Sequence, residues 1–128
     1  MAVLLGVVSM QAGARQGEAV LLPQMPPSWR PGTPTVYFMA GIGGELKVVR
    51  GCVRLMNGAD GFTVLWHRGI ELGRDARGRF LRNVHTGAVQ RFGEQVEVGG
   101  AGLDPEYVGR VAPEVSRRCG PPYWAGWF

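Results

Sequence analysis

Between residues 35 and 98 the apolar positions come in short runs broken by glycine and aspartate, a texture that predicts antiparallel strands rather than helices. Strands are predicted at 35–40, 45–56, 62–67, 79–84, 88–92 and 95–98. Alternation is clearest in Cys52-Val53-Arg54-Leu55, Phe62-Thr63-Val64-Leu65-Trp66 and Gln95-Val96-Glu97-Val98, where one face is apolar and the other wet. Asn57-Gly58, Asp60-Gly61, Arg77-Gly78 and Thr86-Gly87 mark hairpin turns, glycine supplying the positive φ that tight connections need. Gly41-Ile42-Gly43-Gly44-Glu45-Leu46-Lys47 reads as another hairpin, since it fails the Gly-x4-Gly-Lys spacing of a phosphate loop and no helix pattern follows. Helical pattern is confined to 104–109, where Asp104 can cap, Pro105 takes the first helical position and Gly109 ends the element within a turn or two. Five or six short strands and one small helix predict an all-β fold. It is either a partly open antiparallel barrel of the oligonucleotide/oligosaccharide-binding (OB) kind or a small sandwich, and the barrel is preferred.

The pattern before residue 35 differs. Residues 15–34 carry Pro23, Pro26, Pro27, Pro31 and Pro34, and a residue without a backbone donor is excluded from sheet interiors, so this stretch is expected to be an extended linker or arm. Trp29 within it either docks in a groove of the module or stays exposed. At the front, Val3-Leu4-Leu5-Gly6-Val7-Val8 is an uncharged apolar run followed by the small residues Ala12-Gly13-Ala14. Residues 1–14 thus fit a truncated signal peptide cut after Ala14, the missing basic region pointing to a start at an internal methionine of a longer leader; the alternative is a short buried strand or a tail. No run approaches the roughly 20 apolar residues a membrane-spanning helix needs. The expected organisation is leader, arm, and one β domain over 35–128.

With 128 residues the chain has room for one core, and its 45% hydrophobic content is that of a globular protein. The 21 Gly and 9 Pro reinforce the strand-and-turn reading. Of 14 basic residues all but Lys47 are arginine, against 10 carboxylates, for a net charge of +4. Guanidinium groups suit bidentate contacts to carboxylate or phosphate, yet these do not cluster into the run expected of a nucleic-acid tail.

Cys52 and Cys119 bracket most of the predicted strands, which reads as one staple closing a compact module where thiols can oxidise. The order Gly51-Cys52-Val53-Arg54-Leu55, Val64-Leu65-Trp66 with Gly69, Thr86-Gly87-Ala88-Val89, Gly93-Glu94-Gln95-Val96 with Gly99-Gly100, and Cys119-Gly120-Pro121-Pro122-Tyr123-Trp124 resembles an uncharacterised bacterial extracytoplasmic β domain. Such domains carry a Cys-x-Arg-Leu strand and a terminal Cys-x-Gly-Pro-Tyr-Trp. The resemblance covers residues 45–124 and departs at His67-Arg68, where a proline is usual, and at Cys119-Gly-Pro-Pro. It implies a secreted or envelope-anchored β module with a Cys52–Cys119 bridge, and it implies no activity.

Candidate chemistry is sparse. Cys52, His67, His85 and Cys119 have no two members at the short spacing of zinc ligand pairs, so no metal and no other cofactor is expected. Ser9, Ser28 and Ser116 lie outside any Gly-x-Ser-x-Gly elbow. Glu94 and Glu97 point to opposite faces of a strand and cannot act as an acid/base pair. The expected function is a non-enzymatic extracytoplasmic interaction or structural module. Its partners would be an envelope protein or an acidic polymer.

The alternative is a nucleic-acid-binding barrel whose surface gathers Trp66, His67, Arg68, Arg79, Arg82 and Arg91, with Arg74, Arg77, Phe80 and Phe92 nearby. The secreted address argues against that polyanion. A hydrolase would need a cleft uniting His67 or His85 with carboxylates. The aromatic tail of Tyr123, Trp124, Trp127 and Phe128 is a candidate contact patch for a larger assembly, although Tyr123 and Trp124 are expected to pack beside the staple.

Overall fold

The strands that alternation predicts close into a ring. A computed structural model describes residues 20–27 and 36–128, residues 36–40 by their backbone alone. The leader 1–14 and Trp29 lie outside the described residues. The elements are β1 (Val36–Val49), β2 (Cys52–Asn57), β3 (Asp60–Trp66), β4 (Ile70–Asp75), β5 (Gly78–Asn83), β6 (Val89–Arg91), β7 (Gln95–Leu103), helices α1 (Pro105–Val111) and α2 (Pro113–Arg118), and β8 (Tyr123–Trp127). A closed five-stranded barrel runs β1-β2-β3-β8-β7, and β4-β5-β6 form a separate three-stranded sheet. The chain is therefore an all-β protein built on a small OB-like barrel.

Several details differ from expectation. The barrel is closed rather than partly open, and it is not antiparallel throughout, because β8 runs parallel to β3 with Thr63 opposite Tyr123 and Trp66 opposite Gly126. The predicted strand 45–56 is two strands, joined by a tight turn in which Arg50 (φ 53°) and Gly51 (φ 79°) both adopt left-handed backbone. Glycine-rich 41–44 is not a hairpin but the middle of β1, which leaves β7 and joins β2 there. A Cβ on Gly44 would stand 2.5 Å from the Met56 carbonyl oxygen, so the close approach at this corner requires glycine. Asp60-Gly61 likewise belongs to β3 rather than to a turn. One helix was predicted and two form among the described residues. Asp104 caps α1 by accepting from the Glu106 N–H at 2.9 Å, and Pro113 restarts the chain as α2.

Alternation explains the two cores. Inside the barrel and toward β4-β5-β6 lie Leu46, Val53, Leu55, Val64, Trp66, Ile70, Leu81, Val96, Val98 and Trp124. The outward residues of β3 and β8 are also buried, since Leu65, Tyr123 and Ala125 pack with Leu103, Val108 and Val115 beneath the helices. Met25 completes that second core at 3% exposure.

Met25 belongs to the arm, and here the rule that proline-rich chain stays out of sheets needs amending. The β2–β3 ladder runs only from Asn57–Asp60 to Leu55–Phe62, and residues 21–25 bridge both strands beyond it. Leu21 donates to Gly51 O at 2.7 Å and accepts from Val53 N at 3.0 Å, while Trp66 N donates to Pro23 O and Met25 N to Trp66 O. Pro23 enters this pairing through its carbonyl alone, so its missing N–H costs nothing.

Candidate functional site

The resemblance-bearing motifs meet at one point. Cys52 opens β2 and Cys119 follows α2; their α-carbons are 5.7 Å apart and the sulfurs are bonded. Two residues on, hence on the same face of β2, Arg54 donates to Cys119 O at 2.7 Å, Gly120 O at 3.2 Å, Gly61 O at 3.1 Å and Thr63 Oγ1 at 3.0 Å. Thr63 Oγ1 in turn donates to Gly120 O at 2.6 Å. Burial pulls the Arg54 guanidinium below its usual range, opposed by Tyr123. Cys52 and Arg54 thus fasten the same helix-ending turn, one covalently and one through charge-assisted hydrogen bonds to carbonyls left open where α2 ends. Arg54 was not among the predicted site residues; its two-residue spacing from Cys52 was the signal.

The predicted arginine and aromatic surface is not one surface. Trp66 is fully buried inside the barrel, edge-on to Phe128 at 5.9 Å, and its Nε1 has no hydrogen-bond partner among the described residues. The three-stranded sheet divides the arginines by alternation. Leu81 and Ile70 face the barrel, so Arg79 lies on that side, whereas Arg82 and Arg91 lie on the outer side. Arg91 donates two hydrogen bonds to Asp75, at 3.0 and 2.5 Å, and lies over the Phe80 ring at 5.3 Å. That contact holds the Asp75 carboxyl below the usual carboxylate range. Arg82 stands 3.8 Å from Glu71, and Arg77 3.7 Å from Glu94. Phe80 lies across Gly73 beneath Arg91, which leaves no bare ring there for a base to stack on.

The tail is likewise placed differently from a free patch. Tyr123, Trp124 and Trp127 belong to β8, with Tyr123 and Trp124 buried and Trp127 and Phe128 half-buried. Gly100, at φ 144°, admits this strand, because a Cβ there would sit 1.8 Å from Ala125 O.

His67 and Arg68 do meet a cleft. A space of about 350 Å³ is lined by His67, Arg68, Ile70, Asn83, His85, Trp127 and Phe128. The His67 ring is 4.7 Å from that of Trp127, and burial lowers its pKa. Asn83 organises the rim: its Oδ1 accepts from His85 N at 2.9 Å and Thr86 N at 3.3 Å, and its Nδ2 donates to Phe128 O at 2.8 Å. His85 leans over the 67–69 loop, where a Cβ on Gly69 would be 2.7 Å from its Nε2. The cleft joins both histidines, but with an arginine and aromatic rings rather than with carboxylates. No three His, Cys, Asp or Glu side chains gather around a point among the described residues.

Comparison with protein-family models, with curated proteins and with solved structures gives no match.

Proposed function

We propose that this chain is a non-enzymatic interaction module of the extracytoplasmic space, a stapled barrel that presents a preformed cleft to an envelope protein or acidic polymer. The bond between Cys52 and Cys119 carries the reading, because a disulfide at the junction of barrel and helices persists only where the surroundings are oxidising. Two further observations support it. No helix among the described residues is long and apolar enough to cross a membrane. The cleft brings Arg68, His67 and His85 together beside the Trp127 and Phe128 rings, a preformed surface for a partner.

The same observations weigh against a nucleic-acid-binding barrel. Trp66 is internal, and Arg82 and Arg91 already face carboxylates of the chain. Stacking platforms and unpaired cations along one groove are what single-strand binding requires.

Fractionation of the native host tests the address. The untagged chain is expected outside the cytoplasmic membrane, where protease added to spheroplasts or intact cells degrades it. Recovery in the cytosolic fraction, protected from protease, contradicts the reading.

A further inference from the structure

We propose that the barrel mouth at the β2–β3 hairpin binds an uncharged pyranose oligosaccharide, with one sugar ring on each side of Phe62. The inference goes beyond the interaction-module reading, and the site shares no lining residue with the His67 cleft.

Register places the site. Asn57 pairs with Asp60 and Leu55 with Phe62 across the hairpin, so alternation puts all four side chains on one face. Leu55 on that face is buried in the barrel core, whereas Asn57 and Asp60 are exposed, so the face leaves the barrel interior between them. The turn of Gly58 and Ala59 that joins the strands carries the two polar side chains out over the opening.

Shape favours two linked rings. An inner hollow of about 190 Å³ lies against Ile42, Gly43 and Leu55, and an outer one of about 440 Å³ against Pro121 and Pro122. They meet at Asp60, Gly61 and Phe62, which line both. The inner hollow is smaller than the roughly 300 Å³ at which pockets for larger ligands begin, so it admits one ring. Half-buried Phe62 is braced edge-on by Trp124 at 5.6 Å, a fixed ridge between the hollows. A pyranose lays its apolar C–H face on such a ring, and the exposed proline rings continue that apolar floor outward.

Polar chemistry then selects the ligand. Neither the Asn57 amide nor the Asp60 carboxylate has a hydrogen bond or ion pair with another described residue, so both are unspent beside the ridge. An amide donates and accepts while a carboxylate accepts only, and a sugar hydroxyl satisfies either. The charge of the site excludes an acidic sugar. Asp60 repels one, and Arg54, the cation of the outer hollow, is already engaged with Cys119 O, Gly120 O, Gly61 O and Thr63 Oγ1.

The test titrates the oxidised full chain with maltotriose, cellotriose and chitotriose, and with the β-1,4-linked trimer of glucuronic acid, following the Asn57 amide and Phe62 ring resonances by NMR. At least one neutral trimer is expected to bind saturably and shift both sets, with the acidic trimer about tenfold weaker or more. Which neutral trimers bind identifies the sugar, and any one of them supports the site. Asp60→Ala is expected to weaken that trimer about tenfold, as loss of a charge-assisted hydrogen bond implies, while leaving the melting temperature unchanged because Asp60 is exposed. Failure of all three neutral trimers, equal or tighter binding of the acidic one, shifts that spare Phe62, or an unaffected Asp60→Ala variant overturns the proposal. Each of those results leaves the disulfide-based reading standing. Free thiols in native protein would instead remove that reading and not this site.

Discussion

Arg54 gathers three carbonyls and a hydroxyl onto one guanidinium. Removing it strands those acceptors in a half-buried turn, so Arg54→Gln is expected to cost about 3 kcal/mol in urea unfolding. Arg54→Lys should recover less than half of that, since a point charge cannot fork. A loss under about 1 kcal/mol for Arg54→Gln would show that water satisfies the turn instead. His67 supplies a pH dependence with a definite sign. Burial holds its folded pKa below the usual 6.5, so as pH falls the unfolded chain takes up the proton first. Stability is full above that usual value and declines as pH drops toward the folded pKa. The ionisable side chains sharing its cleft are Arg68 on its own loop and His85 from the β5–β6 turn. Thermal melts from pH 8 to 5 should show the decline, and His67→Gln should flatten it; an unchanged slope would place the titration elsewhere.

At the scale of elements, the arm is the piece whose role the sequence conceals. Met25 fills the space between Leu65, Tyr123 and α1, so Met25→Ala is expected to cost about 2 to 4 kcal/mol. A cost below about 1 kcal/mol would mean that residues 20–27 merely lie on the barrel. Proline density predicts an arm, but which donors go unused depends on the facing strands, and that is a tertiary fact. Alternation made β2, β3 and the start of β7 readable, because each has one face in the core. It missed β4, whose Ile70-Glu71-Leu72-Gly73-Arg74-Asp75 is half exposed, and β8, whose two faces are both buried and so show no alternation. The Arg50-Gly51 turn stayed hidden because a left-handed arginine has no turn-like spelling. Of the candidate surface, His67 and Arg68 reach a cleft together, whereas Trp66, Arg79, Arg82 and Arg91 are dispersed by strand alternation. Asn83 and His85, which complete that cleft, lie in an Asn-x-His-Thr-Gly turn that reads only as a turn until β8 arrives beside it.

For the molecule as a whole, the staple joins residues 67 positions apart, and in the chain-entropy account closing such a loop contributes about 4 kcal/mol. That is a large share of what a domain of this size has, so dithiothreitol should lower the melting temperature markedly, leaving the Arg54 clamp, the β8 ladders and the second core to hold α2 and β8 to the barrel. Trapping thiols in the chain as it leaves its native compartment, by alkylation under denaturing conditions and intact mass, bears most directly on the claim that the module lives oxidised. The expected result is no added alkyl group and a mass about 2 Da below the reduced chain, the two hydrogens lost in forming one disulfide. Two alkyl groups, on Cys52 and Cys119, would contradict it.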